Sequence, residues 1–280
     1  MAIEGEAADV GAAAGIDTSK ASIARVYDMF LGGKDNFAVD REVYETIQAV
    51  SPHGDDVAQS IRRWLIRVVR HLAGSEVGID QFLDIGSGLP TVENTHEIAQ
   101  RHNPDATVVY VDNDATVAAY GRALMEENDL THFATADLRD PAALLATPHV
   151  AKLDFDRPVA MIQCATLHHI DDADDPAAFM RAYVDALPSG SYLAISHWWD
   201  PVDELPEGHL MARELEQRWR ESSMGSGRYR TREEIGVLFG GLELLEPGLV
   251  ELNHWWPDGP RMREISLVER LILGGVAYKP

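Results

Sequence analysis

Two carboxylates and two glycines stand where apolar strands should give way to turns. Asp84, Gly86 and Gly88 belong to Phe82-Leu83-Asp84-Ile85-Gly86-Ser87-Gly88-Leu89-Pro90, and Asp112 ends Thr107-Val108-Val109-Tyr110-Val111-Asp112. The glycines let a ligand approach main chain where a Cβ would intrude. Pro90 suits a first helical position, and a helix over 91–102 would aim free N–H groups at the loop. A carboxylate after each strand, beside a glycine turn, predicts a nucleoside pocket with Asp112 on the ribose hydroxyls. The third glycine of the dinucleotide fingerprint is replaced by Thr91, and no Gly-Lys-Ser/Thr completes a phosphate loop. Asp84 is a poor neighbour for a pyrophosphate and a good one for an ammonium. The loop therefore suits adenosine without phosphate and with a cationic amino-acid tail. S-adenosylmethionine meets that description.

The remaining strand ends extend the site. Asn113 follows Asp112. Asp137 is placed to accept from an exocyclic adenine amine while Leu138 covers the ring, although it would serve equally to cap a turn at Asp140-Pro141. Cys164 ends a fourth strand, and His168 and His169 follow it. A neutral imidazole there can take a proton from a nucleophile, and His168 comes first after the strand; packing in the core is the competing reading for each. Asp171, Asp172, Asp174 and Asp175 come next. They read as acids at a helix N-terminus, and no metal-ligand spacing is present, so no metal is expected. His197-Trp198-Trp199 is echoed by His254-Trp255-Trp256. Flat rings with N–H donors suit an aromatic-walled acceptor pocket that includes His169, Trp198, Trp199, His254 and Trp255, with His197 a second candidate base. The same tryptophans would also pack a loop against a sheet edge.

The elements that must position these residues are legible as pattern. Ser19 and its neighbours offer N-caps, and Ile23, Val26, Tyr27 and Phe30 recur at helical spacing until Gly32-Gly33 breaks the run. Further helices are predicted over 38–50 and 55–72. From residue 81 short apolar strands (82–85, 107–112, 131–135, 159–164, 191–197) alternate with helices (91–102, 115–128, 141–147, 175–187), the signature of a parallel sheet covered on both faces. Helices over 207–222 and 231–239 and strand pieces over 242–245, 249–252 and 271–278 complete an expected antiparallel closure. The division is residues 1–16 as a disordered tail, 17–75 as a helical cap or lid, and 76–280 as the sheet domain.

A net charge of −22 repels phosphate backbones and anionic membranes, so nucleic acid and membrane are not expected partners, and a small-molecule substrate is. The lone cysteine forbids an intrachain disulfide, and the start lacks a signal peptide, which together suggest the cytoplasm. Oligomeric state is not readable.

Several blocks carry a resemblance: Ala24-Arg25-Val26-Tyr27-Asp28, Leu31-Gly32-Gly33-Lys34-Asp35-Asn36-Phe37, the Phe82 strand and turn, Tyr110-Val111-Asp112-Asn113-Asp114, Ala136-Asp137-Leu138-Arg139-Asp140-Pro141, Leu167-His168-His169-Ile170 and Glu246-Pro247-Gly248-Leu249-Val250. Over residues 17–280 the chain resembles a bacterial S-adenosylmethionine-dependent methyltransferase family, formerly a domain of unknown function. The Leu31–Phe37 block is the most specific. The resemblance implies an α/β, Rossmann-like class I methyltransferase fold: a seven-stranded, mostly parallel sheet with an antiparallel last strand and an N-terminal helical cap. It also implies that Tyr27, Lys34, Asn36 and Phe37 lie near the cofactor, joining Asp84, Gly86, Ser87, Gly88, Asp112, Asn113, Asp137, Leu138 and Cys164; the flexible glycines at 32 and 33 suit a lid there, with a simple helix-helix turn as the competing reading. The acceptor is left open. So are cyclisation or aminocarboxypropyl transfer from the same cofactor, and cofactor binding without catalysis.

Overall fold

The computed structural model describes residues 16–91, 93–125, 128–260 and 263–280. The expected tail lies, but for Ile16, outside the described residues, as do 126–127 of the helix expected over 115–128. Three helices come first: α1 (Ile23–Phe30), α2 (Ala38–Val50) and α3 (Gly54–Ala73). Strands β1 (Gln81–Ile85), β2 (Thr107–Asp112), β3 (Thr131–Thr135), β4 (Ala160–Cys164) and β5 (Tyr192–Trp198) then alternate with α4 (Thr95–His102), α5 (Ala115–Met125), α6 (Pro141–Leu145) and α7 (Pro176–Ala186). The chain closes with α8 (Pro206–Glu221), α9 (Arg232–Val237), β6 (Glu243–Leu244), β7 (Val250–Glu251), α10 (Leu267–Arg270) and β8 (Ile272–Tyr278).

The sheet order is β3-β2-β1-β4-β5-β8-β6, with β7 also on β8. The first five strands are parallel, and β8 runs antiparallel to β5. Eight strands stand where seven were expected, because the edge opposite β8 comes in two pieces. β6 pairs with Tyr278 and Ala277, and β7 pairs with Gly274 and Leu273. Between them the Gly248 N–H donates to the Leu245 carbonyl, a turn that interrupts the ladder.

Alternation along each strand sorts the core into two layers. Phe82, Val108, Ala160, Ile162 and Ala194 face one cluster with Trp64, Val68, Leu72 and Ile98. Leu83, Ile85, Val109, Val111, Met161 and Leu193 face the other, with Leu144, Met180 and Tyr183. Helix α3 is therefore part of a layer against β4 and β8, while α1 packs on α2 and α3. Its Trp64 lies so close to β8 that a Cβ on Gly274 would come within 2.7 Å of the indole.

A buried ion pair fixes the entry of the chain. Arg25 Nε donates to Asp40 at 2.7 Å, and Asp40 also accepts from the Ser22 and Phe37 amides. Arg25 Nη1 reaches Thr116 at the start of α5. One guanidinium thus ties α1 and α2 to the sheet domain.

The helix boundary that departs most from expectation is the start of α4. Helix α4 starts at Thr95, with Asn94 as N-cap and Glu97 closing a capping box. The Thr91 amide donates to the Asn94 side chain at 2.9 Å. The Asn94–Glu97 pair is a stronger start signal than Pro90, so the helix does not extend back to the glycine turn.

Candidate active site

A cavity of about 710 Å³ opens at the carboxyl ends of β1, β2, β4 and β5, with residues of α1, α2, α3 and α8 closing it. That size falls among small-molecule sites, roughly 300–1,000 Å³. The position is where an open parallel sheet binds ligands.

One end of the cavity is polar. β1 delivers Asp84, buried, its Oδ2 accepting from Thr95 Oγ1 at 2.6 Å. Burial pushes its carboxyl up to about 6, with the Thr95 hydrogen bond and nearby Arg62 pulling the other way. The turn that follows has Gly86 at φ +74°, and a Cβ there would meet Thr166 at 2.3 Å. The turn is locked to β2 by the Gly86 amide on the Val111 carbonyl (2.7 Å) and the Gly88 amide on Asp112 Oδ2 (2.9 Å). Asp112 Oδ1 accepts from the Asp114 amide, and burial raises this carboxyl too. Asp114 in turn accepts from Ser22, the N-cap of α1. Ser87, Asn113, Leu138 and Cys164 also line the cavity. Leu138 is set by its carbonyl, which accepts from Tyr183 at 2.8 Å. Cys164 contacts Ser196, and burial pushes its thiol up to about 12.

The other end is aromatic. His168 stacks on Trp198 at 3.8 Å and 12°. Trp198 lies near-parallel to Trp219 at 5.2 Å and to Tyr229 at 5.1 Å. Trp219 reaches Phe30 of α1 at 6.1 Å, and His169 edges onto Trp198 at 5.1 Å. His169 Nδ1 meets Ser226 Oγ at 3.1 Å, whereas His168 Nδ1 is buried without a hydrogen-bond partner. Burial holds both imidazoles below the usual range, His169 at about 3, so they are neutral near pH 7.

Several expected site residues lie elsewhere. His197 is wholly buried and does not line the cavity; its Nδ1 meets the Trp198 carbonyl and its Nε2 accepts from Arg230 Nη1, both at 2.7 Å. With both nitrogens committed it cannot reach a nucleophile, which corrects its reading as a second base. Trp199 is buried against Arg232 on the far side of β5, since neighbours along a strand point to opposite faces. Trp255 packs against α3, where its carbonyl accepts from Arg67, and His254 is exposed near Glu251. Neither lines the cavity, because the second His-Trp-Trp segment follows β7 at the sheet edge. Of the expected lid, Tyr27 lines the cavity and Lys34, Asn36 and Phe37 do not. That turn folds back on α1: the Gly33 amide donates to the Asp28 carbonyl, and the Phe37 ring lies under Arg25. Asp137 lines the cavity but is paired bidentately with Arg139, which holds its carboxyl below the usual range. The following acids also have structural partners: Asp171 pairs with Arg220, Asp172 with Arg228 and Arg230, and Asp175 caps α7. Among the described residues no group of three or more His, Cys, Asp or Glu is arranged to hold a metal ion.

Sequence reasoning missed Arg62, Trp219, Met224, Ser226 and Tyr229, all of which line the cavity. Arg62 and Trp219 sit in amphipathic helices and look like any polar or core position. The last three follow or flank Gly225 and Gly227, a glycine pair that signalled a loop without saying where it would fold.

A family model described as S-adenosyl methyltransferase matches residues 9–280. The chain belongs to this methyltransferase family. A crystal structure of a candidate methyltransferase from Thermobifida fusca YX is 45% identical, with TM-score 0.87 over 95% of this chain and 97% of that one. A DUF574-family protein from Streptomyces avermitilis MA-4680 is 38% identical, with TM-score 0.87 over 94% and 99%. An O-methyltransferase-family protein from Burkholderia thailandensis, 15% identical with TM-score 0.50 over 84% of this chain and 62% of that one, shares the fold alone. No curated protein matches the chain.

S-adenosylmethionine is the cofactor of this methyltransferase family, and the polar end fits it. Two carboxylates, Asp84 buried and Asp112 half-buried, flank a glycine turn with no room for a Cβ at Gly86. Among the described residues no cluster of cations suited to a pyrophosphate stands at that turn: Arg25 and Arg139 are held by Asp40 and Asp137, and Arg62 donates to the Glu93 carbonyl.

Proposed function

We propose that this methyltransferase-family chain methylates a small molecule held against the aromatic wall, with its cofactor seated on the polar end. The observation that carries the reading is the continuity of the cavity. Gly86 abuts Thr166, and two residues later His168 stacks into the ring cluster, so one wall of the cavity runs from the turn to the rings. When bound, S-adenosylmethionine supplies a methyl group on a sulfonium already activated for in-line displacement. Asp112 holds the ribose hydroxyls with the lone pairs that the Gly88 and Asp114 amides leave free. Asp84, which has one hydroxyl partner, takes the ammonium of the tail, and Arg62 of α3 faces its carboxylate. Leu138 and Asp137 flank the adenine. Tyr27 and Cys164 line the passage between the two ends.

The protein's own work is alignment and exclusion of water. His168 is too weak a base to strip a resting hydroxyl. It accepts a hydrogen bond from the nucleophile and takes the proton once bond formation has made that group acidic. The test is to incubate the protein with S-adenosylmethionine and a panel of small acceptors and to identify the nucleoside product. S-adenosylhomocysteine with a methylated acceptor supports the reading. Methylthioadenosine would replace it with aminocarboxypropyl or cyclisation chemistry, and cofactor binding without turnover on any acceptor would replace it with a binding role.

A further inference from the structure

We infer that the acceptor of this cavity is an uncharged, planar aromatic molecule that slots against the Trp219–Tyr229 side of the ring cluster with its nucleophilic hydroxyl or amine directed to His168. The inference rests on the proposed methyl transfer and narrows its substrate. The wall is contributed by separate segments: Phe30 from α1, His168 after β4, Trp198 from β5, Trp219 from α8 and Tyr229 from the loop after it. Trp219 and Tyr229, each within 5.2 Å of Trp198 at an interplanar angle of 26° or less, present flat apolar surface, the complement of a flat ligand.

Charge is excluded from this end by the pairing around it. Glu216 and Arg228 lie just behind Tyr229, but they are bonded to each other at 2.9 Å, and Glu216 also takes the Tyr229 amide. Arg230 is spent on Asp172, His197 and two carbonyls. Cys164, His168 and His169 are all kept neutral near pH 7 by burial. A charged ligand would lose its hydration here with no ion to meet it. Among the described residues His168 has no side-chain hydrogen-bond partner at the rings; its Nδ1 is enclosed, which leaves Nε2 to a ligand. A ligand hydroxyl or amine gives that imidazole a hydrogen bond and fixes the ring's orientation.

The test uses the full chain saturated with S-adenosylhomocysteine and three ring-matched probes at pH 7.5: 2-naphthol, 2-naphthoate and 2-naphthylmethylammonium. Quenching of tryptophan fluorescence and calorimetry report binding. The expected result is 2-naphthol tighter than either charged probe by about tenfold or more, the cost of an unpaired buried charge. Trp219→Ala should weaken 2-naphthol by about tenfold through lost ring contact while S-adenosylhomocysteine binding persists, which also shows that the variant is folded. Equal or tighter binding of either charged probe to the unmodified protein overturns the inference, as does failure of 2-naphthol to bind. Failure of S-adenosylhomocysteine to bind would instead remove the cofactor reading beneath it.

Discussion

The polar end of the cavity is made by two adjacent strands and the turn after the first, whereas the aromatic end is made by five segments spread from Phe30 to Tyr229. At the polar end backbone amides do most of the shaping, with Gly88 and Asp114 donating to one carboxylate. At the aromatic end side chains shape one another, and a buried arginine network behind them sets the loop. A surface built from local backbone serves a ligand common to many proteins. A surface built from distant side chains can be re-cut by changing one ring, and that is where an acceptor preference would be written.

Substitutions can separate the two ends. The largest expected effect strikes both together. Asp40→Ala strands the Arg25 guanidinium, buried with it, and should lower unfolding stability in urea by about 3–5 kcal/mol. A loss under ~1 kcal/mol would mean that α1 is held by other contacts. Next, Asp112→Ala should weaken S-adenosylhomocysteine by about 2–3 kcal/mol, since it removes a charged acceptor and frees the Gly88 amide; calorimetry measures this. His197→Phe should cost about 1–3 kcal/mol of stability by leaving Arg230 Nη1 without one acceptor, whereas His168→Phe should lower turnover with little change in melting. Equal effects of the two on turnover would return His197 to the chemistry.

The smallest effect is one of pH. Asp84, buried beside Thr95 with Arg62 and Asp112 as charged neighbours, has its carboxyl raised to about 6. Because the folded value is raised, its ionisation disfavours the empty fold above that pH, and the stability it contributes below pH 4 is lost as pH climbs through 6. An ammonium tail needs the ionised form, so affinity for S-adenosylhomocysteine should rise, at most about tenfold per unit, as pH goes from 5 to 7. Asp84→Asn should bind weakly at every pH in that window; a slope that survives the substitution assigns the titration elsewhere.

The polar end was readable because its signals are contiguous. Asp84, Gly86, Gly88 and Asp112 stand at strand ends that apolar runs define, and the parallel order follows from alternation with helices. Some boundaries were hidden by stronger local chemistry, as where Asn94 and Glu97 cap α4 in place of Pro90. The aromatic end was half readable. Trp198 and His169 were placed by the end of a strand, but the echo of His197-Trp198-Trp199 in His254-Trp255-Trp256 misled. Identical side chains take different duties when one set rides a central strand and the other follows a two-residue edge strand. Trp219 and Tyr229 carried no local mark, because their meeting with Trp198 depends on how α8 and its loop fold across the sheet.

The central claim is that a single cavity seats the cofactor on the carboxylate end with its sulfur facing the rings. A crystal structure of the protein grown with S-adenosylhomocysteine tests this most directly. The account predicts ribose hydroxyls within hydrogen-bond distance of Asp112, the ammonium on Asp84, and the sulfur open toward His168 and Trp198. A nucleoside seated among Trp198, Trp219 and Tyr229, or a tail running away from Asp84, would contradict it.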